Sequence, residues 1–189
     1  MKKFLKENSY TIVRLIVFQI GSGILGIVTS FATSSLEAKW VFPASSVFCI
    51  AFYLFLVFNM SYEDGQKDGI RIEAGRMKKN PYKYFIIGLL ANSVNLLVGF
   101  MALAFCLVGM SSPTETILSL EQTFAAISRF LHTMYLGIVQ SLFGMSTVPL
   151  AFVPIPTVIA AGVGYLMGIR YKDGFLPKRQ DKNNTKRYS

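Results

Sequence analysis

Residues 41–60 read VFPASSVFCIAFYLFLVFNM, twenty positions without one Asp, Glu, Lys, Arg or His. Coiled as a helix, that stretch is about 30 Å long, the thickness of a bilayer's hydrocarbon core. Three further apolar runs match it, at 12–33, 84–110 and 150–169. A soluble domain of 189 residues with 52% hydrophobic residues and a mean hydropathy of +0.46 would need a core too large for its length. The same apolar content excludes a disordered chain. The expected fold class is an all-α integral membrane protein with four transmembrane helices. Residues 1–176 are read as a single transmembrane helical domain and 177–189 as a basic, flexible cytoplasmic tail. The first run starts soon after Met1-Lys2-Lys3 but is long and lacks an Ala-x-Ala site, so it reads as a first membrane helix and not as a cleaved signal.

The charge pattern orients these runs. The formal net charge is +9, and seventeen of the nineteen basic residues fall in three places. These are the amino-terminal arm through Arg14, the 61–83 segment and the tail from Arg170; Lys39 and Arg129 are the exceptions. Basic loops stay cytoplasmic. Both termini and the 61–83 loop are therefore expected in the cytoplasm of a cell-membrane protein, with 34–40 and 111–149 outside. The basic tail has no aromatic stacking pattern and no nucleic-acid motif. Its expected partners are membrane lipids, anionic ones included, and no nucleic acid.

The region between the third and fourth runs is the hardest to assign. Ser112-Pro113-Thr114-Glu115 has the composition of a helix start, with Ser112 as cap. Glu115, Ser119, Gln122 and Arg129 then recur at helical spacing, which suggests a helix on the outer surface. The 130–153 stretch is apolar but interrupted at 144–149 and followed by Pro154 and Pro156. A full fifth crossing would put the basic tail outside, so an additional outer interfacial or re-entrant helix is expected. A re-entrant break would itself point to function, because irregular backbone at membrane depth lines substrate paths.

Polar residues inside the runs are the first candidates for function. Asn92 and Asn95 share a helix face. With Gln19, and with Gln140 added from the interrupted region, they make a candidate ligand or translocation seam, because an unpaired amide in lipid costs several kcal/mol. Helix–helix hydrogen bonding is the simpler role for the same residues. Gly21, Gly23 and Gly26 suggest a packing face without a GxxxG spacing. Cys49 and Cys106 read as small apolar fillers, and His132, the only histidine, as a packing residue without metal-ligand neighbours.

A second candidate lies at the basic side. Tyr62-Glu63-Asp64-Gly65 follows the second run and Tyr171-Lys172-Asp173-Gly174 the fourth. The pair admits two repeated helical hairpins. Its simpler account is a helix end, since Asp-Gly favours the turn that stops a helix. Asp64, Asp68 and Asp173 could instead converge on an ion, with Arg71 and Arg76 clamping a phosphate. No cofactor, no metal and no catalytic residue is assigned, because no phosphate-cradling loop, nucleophile elbow or zinc motif occurs. The expected function is a transport component or an accessory subunit of a membrane complex, as a homo-oligomer or with other membrane subunits. The alternative is an enzyme acting on a phospholipid or polyprenyl headgroup.

Overall fold

The computed structural model describes residues 2–34, 40–112, 114–144 and 146–171, and every regular element among them is helical. Four segments are long and apolar enough to cross a membrane: Phe4–Thr33, Val41–Glu73, Ser93–Ser111 and Val148–Arg170. The 177–189 tail and Asp173 lie outside the described residues.

Helix α1 (Lys2–Ser34) and helix α2 (Val41–Glu73) form a long antiparallel pair, with the Thr29 hydroxyl 3.6 Å from the Cys49 sulfur. Helix α7 (Ile155–Arg170) packs parallel to α2. Small residues set that contact. Gly164 meets Ser61 and the Phe58 carbonyl, and Gly168 meets Gly65 and the Tyr62 carbonyl. Ser61-xxx-Gly65 thus faces Gly164-xxx-Gly168, the close-approach arrangement of apolar helix pairs. A Cβ on Gly168 would overlap the Tyr62 carbonyl oxygen and stand 2.9 Å from the Gln66 nitrogen.

This contact corrects the expected inner loop. Helix α2 does not stop near Asn59; it continues to Glu73. Gly65 serves as a contact surface for α7 instead of a helix stop. Ion pairs one turn apart, Asp64–Lys67 at 3.3 Å and Asp68–Arg71 at 3.5 Å, lie along the extension. The turn comes only at Gly75, whose φ of 70° is left-handed. The first Tyr-x-Asp-Gly therefore lies within α2, whereas Tyr171 directly follows α7 and Lys172–Gly174 lie outside the described residues. A helix-end role does not account for the first copy.

The third apolar run is not one helix. It consists of helix α3 (Lys83–Ala91) and helix α4 (Ser93–Ser111), joined at Asn92. The Asn92 side chain donates to the Gly88 carbonyl at 2.9 Å, the acceptor its own backbone N–H uses at 3.1 Å. That competition kinks a helix. Helix α3 runs antiparallel to α7, with Gly88 at Val158 and Tyr84 stacked on Tyr165.

Helix α5 (Glu115–Leu131) starts after an extended Thr114, not after a Ser112 cap; Pro113 lies outside the described residues. It packs lengthwise and antiparallel on α4 and does not lie across the end of the bundle. Gly109 meets Ile117, Phe105 stacks on Phe124, and Ala102 clusters with Ala125. A 3-10 turn at Thr133–Tyr135 then brings Met134 against Gly26. Helix α6 (Leu136–Phe143) leads back toward the start of α2, with Gly137 against Phe42 and Ser46. The chain returns through a second 3-10 turn, Val148–Ala151, which meets Gly99, and enters α7. The start of α1, the end of α2 and the end of α7 share one end of the bundle, hereafter the basic end.

Candidate functional site

Three backbone irregularities interrupt the helices: the Asn92 kink, the His132–Tyr135 turn and the Val148–Pro154 segment. Gly26 with Met134 and Gly99 with Ala151 set the last two against α1 and α4. Beside them lies a cavity of ≈ 320 Å³ between α1, the α3–α4 joint and the tip of α5. Its walls are aliphatic and aromatic apart from Gln19 and Asn95. Both amides are buried, with 8% and 6% exposure. Asn95 donates to the Asn92 side-chain Oδ1 at 3.3 Å, so Asn95, Asn92 and Gly88 form a chain of amides. Gln19 makes no hydrogen bond with another described residue. Ile27 and Phe130 are shared with a second cavity of ≈ 500 Å³ that also borders Ser30, Arg129 and Thr133.

Three of the four proposed seam residues are therefore neighbours around one hollow: Asn92 behind the wall, Gln19 and Asn95 on it. Gln140 is exposed on α6 and does not line it.

The turn after α5 holds His132, which the sequence reading assigned to packing, and two polar residues it did not single out. The His132 Nδ1 lies 2.9 Å from the Ser128 carbonyl. A carbonyl only accepts, so Nδ1 carries the proton and a neutral ring leaves Nε2 a bare acceptor. That Nε2 and the Ser128 hydroxyl are buried without a hydrogen bond, and the buried Tyr135 hydroxyl has the Thr157 side chain near it but no well-formed bond. His132 meets Tyr135 edge-on at 6.4 Å.

At the basic end, Asp68 is buried and fully engaged. Its carboxylate accepts from Lys83 at 2.7 Å, from the Tyr165 hydroxyl at 3.0 Å and from Arg71 at 3.5 Å. Asp64 accepts from the Tyr84 hydroxyl at 2.5 Å and from Lys67 at 3.3 Å. The rings of Tyr84 and Tyr165 stack at 4.6 Å. This cluster binds α2, α3 and α7 together. Arg76 is exposed beyond α2. Among the described residues no three acidic, histidine or cysteine side chains are grouped to hold a metal.

Lys83, Tyr84 and Tyr165 were missed as Asp68 and Asp64 partners. The signal available was the match of Ser61-xxx-Gly65 to Gly164-xxx-Gly168. It would have set α7 against the face of α2 that carries Asp68, one turn beyond Gly65. No known family model, curated protein or solved structure matches this chain.

Proposed function

We propose that this chain is an integral membrane protein with its basic end in the cytoplasm, acting as the transport component of a membrane complex. The observation that carries the reading is the set of helix breaks and buried amides gathered around one cavity. Apolar helices normally cross hydrocarbon unbroken, because each exposed peptide group costs several kcal/mol. Here the breaks at Asn92 and after Leu131 adjoin a cavity lined by Gln19 and Asn95, and an irregular 148–154 segment precedes α7. Broken helices around a polar mid-depth site are the usual construction of substrate paths. The orientation rests on Lys67, Arg71, Lys83 and Arg170 gathering at one end.

An accessory-subunit role is the second reading. It is favoured by the cavity's open side along α1, where Ile20 and Ile24 are exposed. The headgroup-enzyme alternative draws no support from Asp64 and Asp68, whose oxygens are already held by the chain's own hydroxyl and cationic groups.

The test is purification in mild detergent, mass measurement of what co-purifies, and flux assays in phosphatidylethanolamine–phosphatidylglycerol vesicles against a panel of ions and small solutes. Transport predicts flux above protein-free vesicles that falls in Asn95→Leu and His132→Phe. A stoichiometric partner protein together with no flux for any solute would select the accessory role instead.

A further inference from the structure

We infer that Tyr53, Ser128, His132, Tyr135 and Thr157 form an enclosed binding site for a small neutral molecule that both donates and accepts hydrogen bonds, water or a hydroxylated solute of similar size. The site is defined by the fold alone and does not depend on the transport reading.

Four elements supply these residues. Tyr53 comes from α2, Ser128 and His132 from the end of α5, Tyr135 from the 3-10 turn that follows, and Thr157 from α7. Each is more than nine-tenths buried. The Thr157 side chain lies near both tyrosine hydroxyls. It has one proton to give, so it cannot donate to both. The His132 ring meets the Tyr135 ring edge-on. Ser128 precedes His132 by four residues, the spacing of one helix face. None of the five lines either cavity described above, so this is a separate place in the fold.

Hydrogen-bonding chemistry selects the ligand. With its Nδ1–H given to the Ser128 carbonyl, the neutral His132 ring can only accept at Nε2. Whatever meets Nε2 must bring a proton, which excludes halides and ionised carboxylates. The Ser128 and Tyr135 hydroxyls have protons of their own to place, and no acceptor among the described residues takes them in a well-formed bond. A cation that only donates leaves those protons unplaced. None of the five side chains carries a charge, so an ion would also give up its hydration without a counter-charge from the site. A water or alcohol hydroxyl meets both needs: it donates to Nε2 and accepts from Ser128 or Tyr135. Size agrees, because a buried water makes about three such bonds and takes up about 30 Å³.

His132 is the only histidine of the chain, so nitrogen-15 histidine labels a single ring. The full chain, labelled in this way in phosphatidylethanolamine–phosphatidylglycerol vesicles, should show by magic-angle-spinning NMR a protonated Nδ1 and an unprotonated Nε2 in contact with an exchangeable proton. Added carbon-13 methanol separates the two sources. A solute site brings the methanol carbon to Nε2 and displaces the water contact, whereas a water site keeps the water contact and leaves methanol remote. Contact from neither, a proton carried on Nε2, or a doubly protonated ring would overturn the inference. The sign of a stability change gives a second check. Tyr135→Phe keeps the ring packed and removes one hydroxyl. If that hydroxyl holds the ligand, the unfolding midpoint in maltoside micelles should fall by about 2–4 °C, the shift of one hydrogen bond in a chain of this size. Loss of a buried hydroxyl that had no partner would raise the midpoint instead, and that rise would overturn the inference. Absence of flux together with contact at Nε2 would end the transport reading and leave this site standing.

Discussion

Replacing Lys83 by Met tests whether the Asp68 cluster holds α2, α3 and α7 together. Lys83 Nζ lies 2.7 Å from Asp68 Oδ2, with side-chain exposures of 19% and 5%. At that distance the gross attraction is about 6 kcal/mol with an effective dielectric near 20, most of it offset by desolvation of the two groups. Removing one partner of a buried pair is costlier than the pair is worth, because a charge stays behind without compensation. Losses of about 3–5 kcal/mol are typical. Lys83 keeps some water contact, which places Lys83→Met near 3 kcal/mol. Tyr165 and the largely exposed Arg71 continue to donate to Asp68 and limit the damage.

For a chain of this size, about 3 kcal/mol corresponds to a fall of roughly 6–12 °C in the unfolding midpoint. Circular dichroism during heating in maltoside micelles reads it. Asp68→Asn in the Lys83→Met background should recover about 2 kcal/mol, since the stranded charge is gone. Arg71→Ala is the control: its 3.5 Å contact comes from a side chain 64% exposed, and surface pairs contribute well under about 1 kcal/mol. If Lys83→Met costs no more than Arg71→Ala, or if the Lys83 and Asp68 effects simply add, the cluster is not the lock described.

Other outcomes follow from the packing. Gly168→Leu should separate α2 from α7 and abolish a monodisperse protein, whereas Gly21→Ala, whose added carbon meets nothing within 4 Å, should raise the midpoint by up to a few degrees. Asn92→Leu should straighten the α3–α4 joint and strand the Asn95 amide, lowering stability by about 1–3 kcal/mol in the same assay. For orientation, Trp40→Cys should react with a membrane-impermeant maleimide on intact cells and Lys78→Cys only after permeabilisation; labelling of position 78 on intact cells would reverse the topology.

The four long apolar helices were readable because a run of about twenty uncharged residues has few other solutions. Asn92 and Asn95 were readable too, as amides three apart on an apolar helix. The extension of α2 through Gly65 and Gly69 was not. Local propensity reads Asp-Gly as a turn, but α7 needs a glycine surface exactly where a local rule would end the helix, and tertiary contact prevails over propensity. The α4–α5 hairpin was obscured for a similar reason. Glu115, Ser119, Gln122 and Arg129 suggest a water-facing helix, yet Glu121 accepts from Thr147 at 3.0 Å and, with Phe124 and Ala125 on the same side, faces α4. Gln140 misled because an amide in an apolar stretch looks buried, and the short α6 turns it outward.

The break after α5 is built into the chain and is not a frayed helix end. A helix that stops in apolar surroundings leaves carbonyls needing donors. Here the Ser128 carbonyl receives both the His132 backbone N–H at 3.0 Å and the His132 ring. The Thr133 hydroxyl donates to the Phe130 carbonyl at 2.6 Å, and Ser46 reaches from α2 to the Met134 carbonyl at 2.5 Å. Ser46 is in turn approached by the Ile138 N–H at 3.4 Å, which ties the start of α6 to the same hydroxyl. With the nearby backbone so well served, the bare His132 Nε2 and the Ser128 and Tyr135 hydroxyls are not needed to close the turn. Each costs about 1–3 kcal/mol while it stays unpaired. The His132 ring still bonds within the turn through Nδ1 and Tyr135 still packs in the core, so it is only their outer polar atoms and the Ser128 hydroxyl that are surplus to the fold.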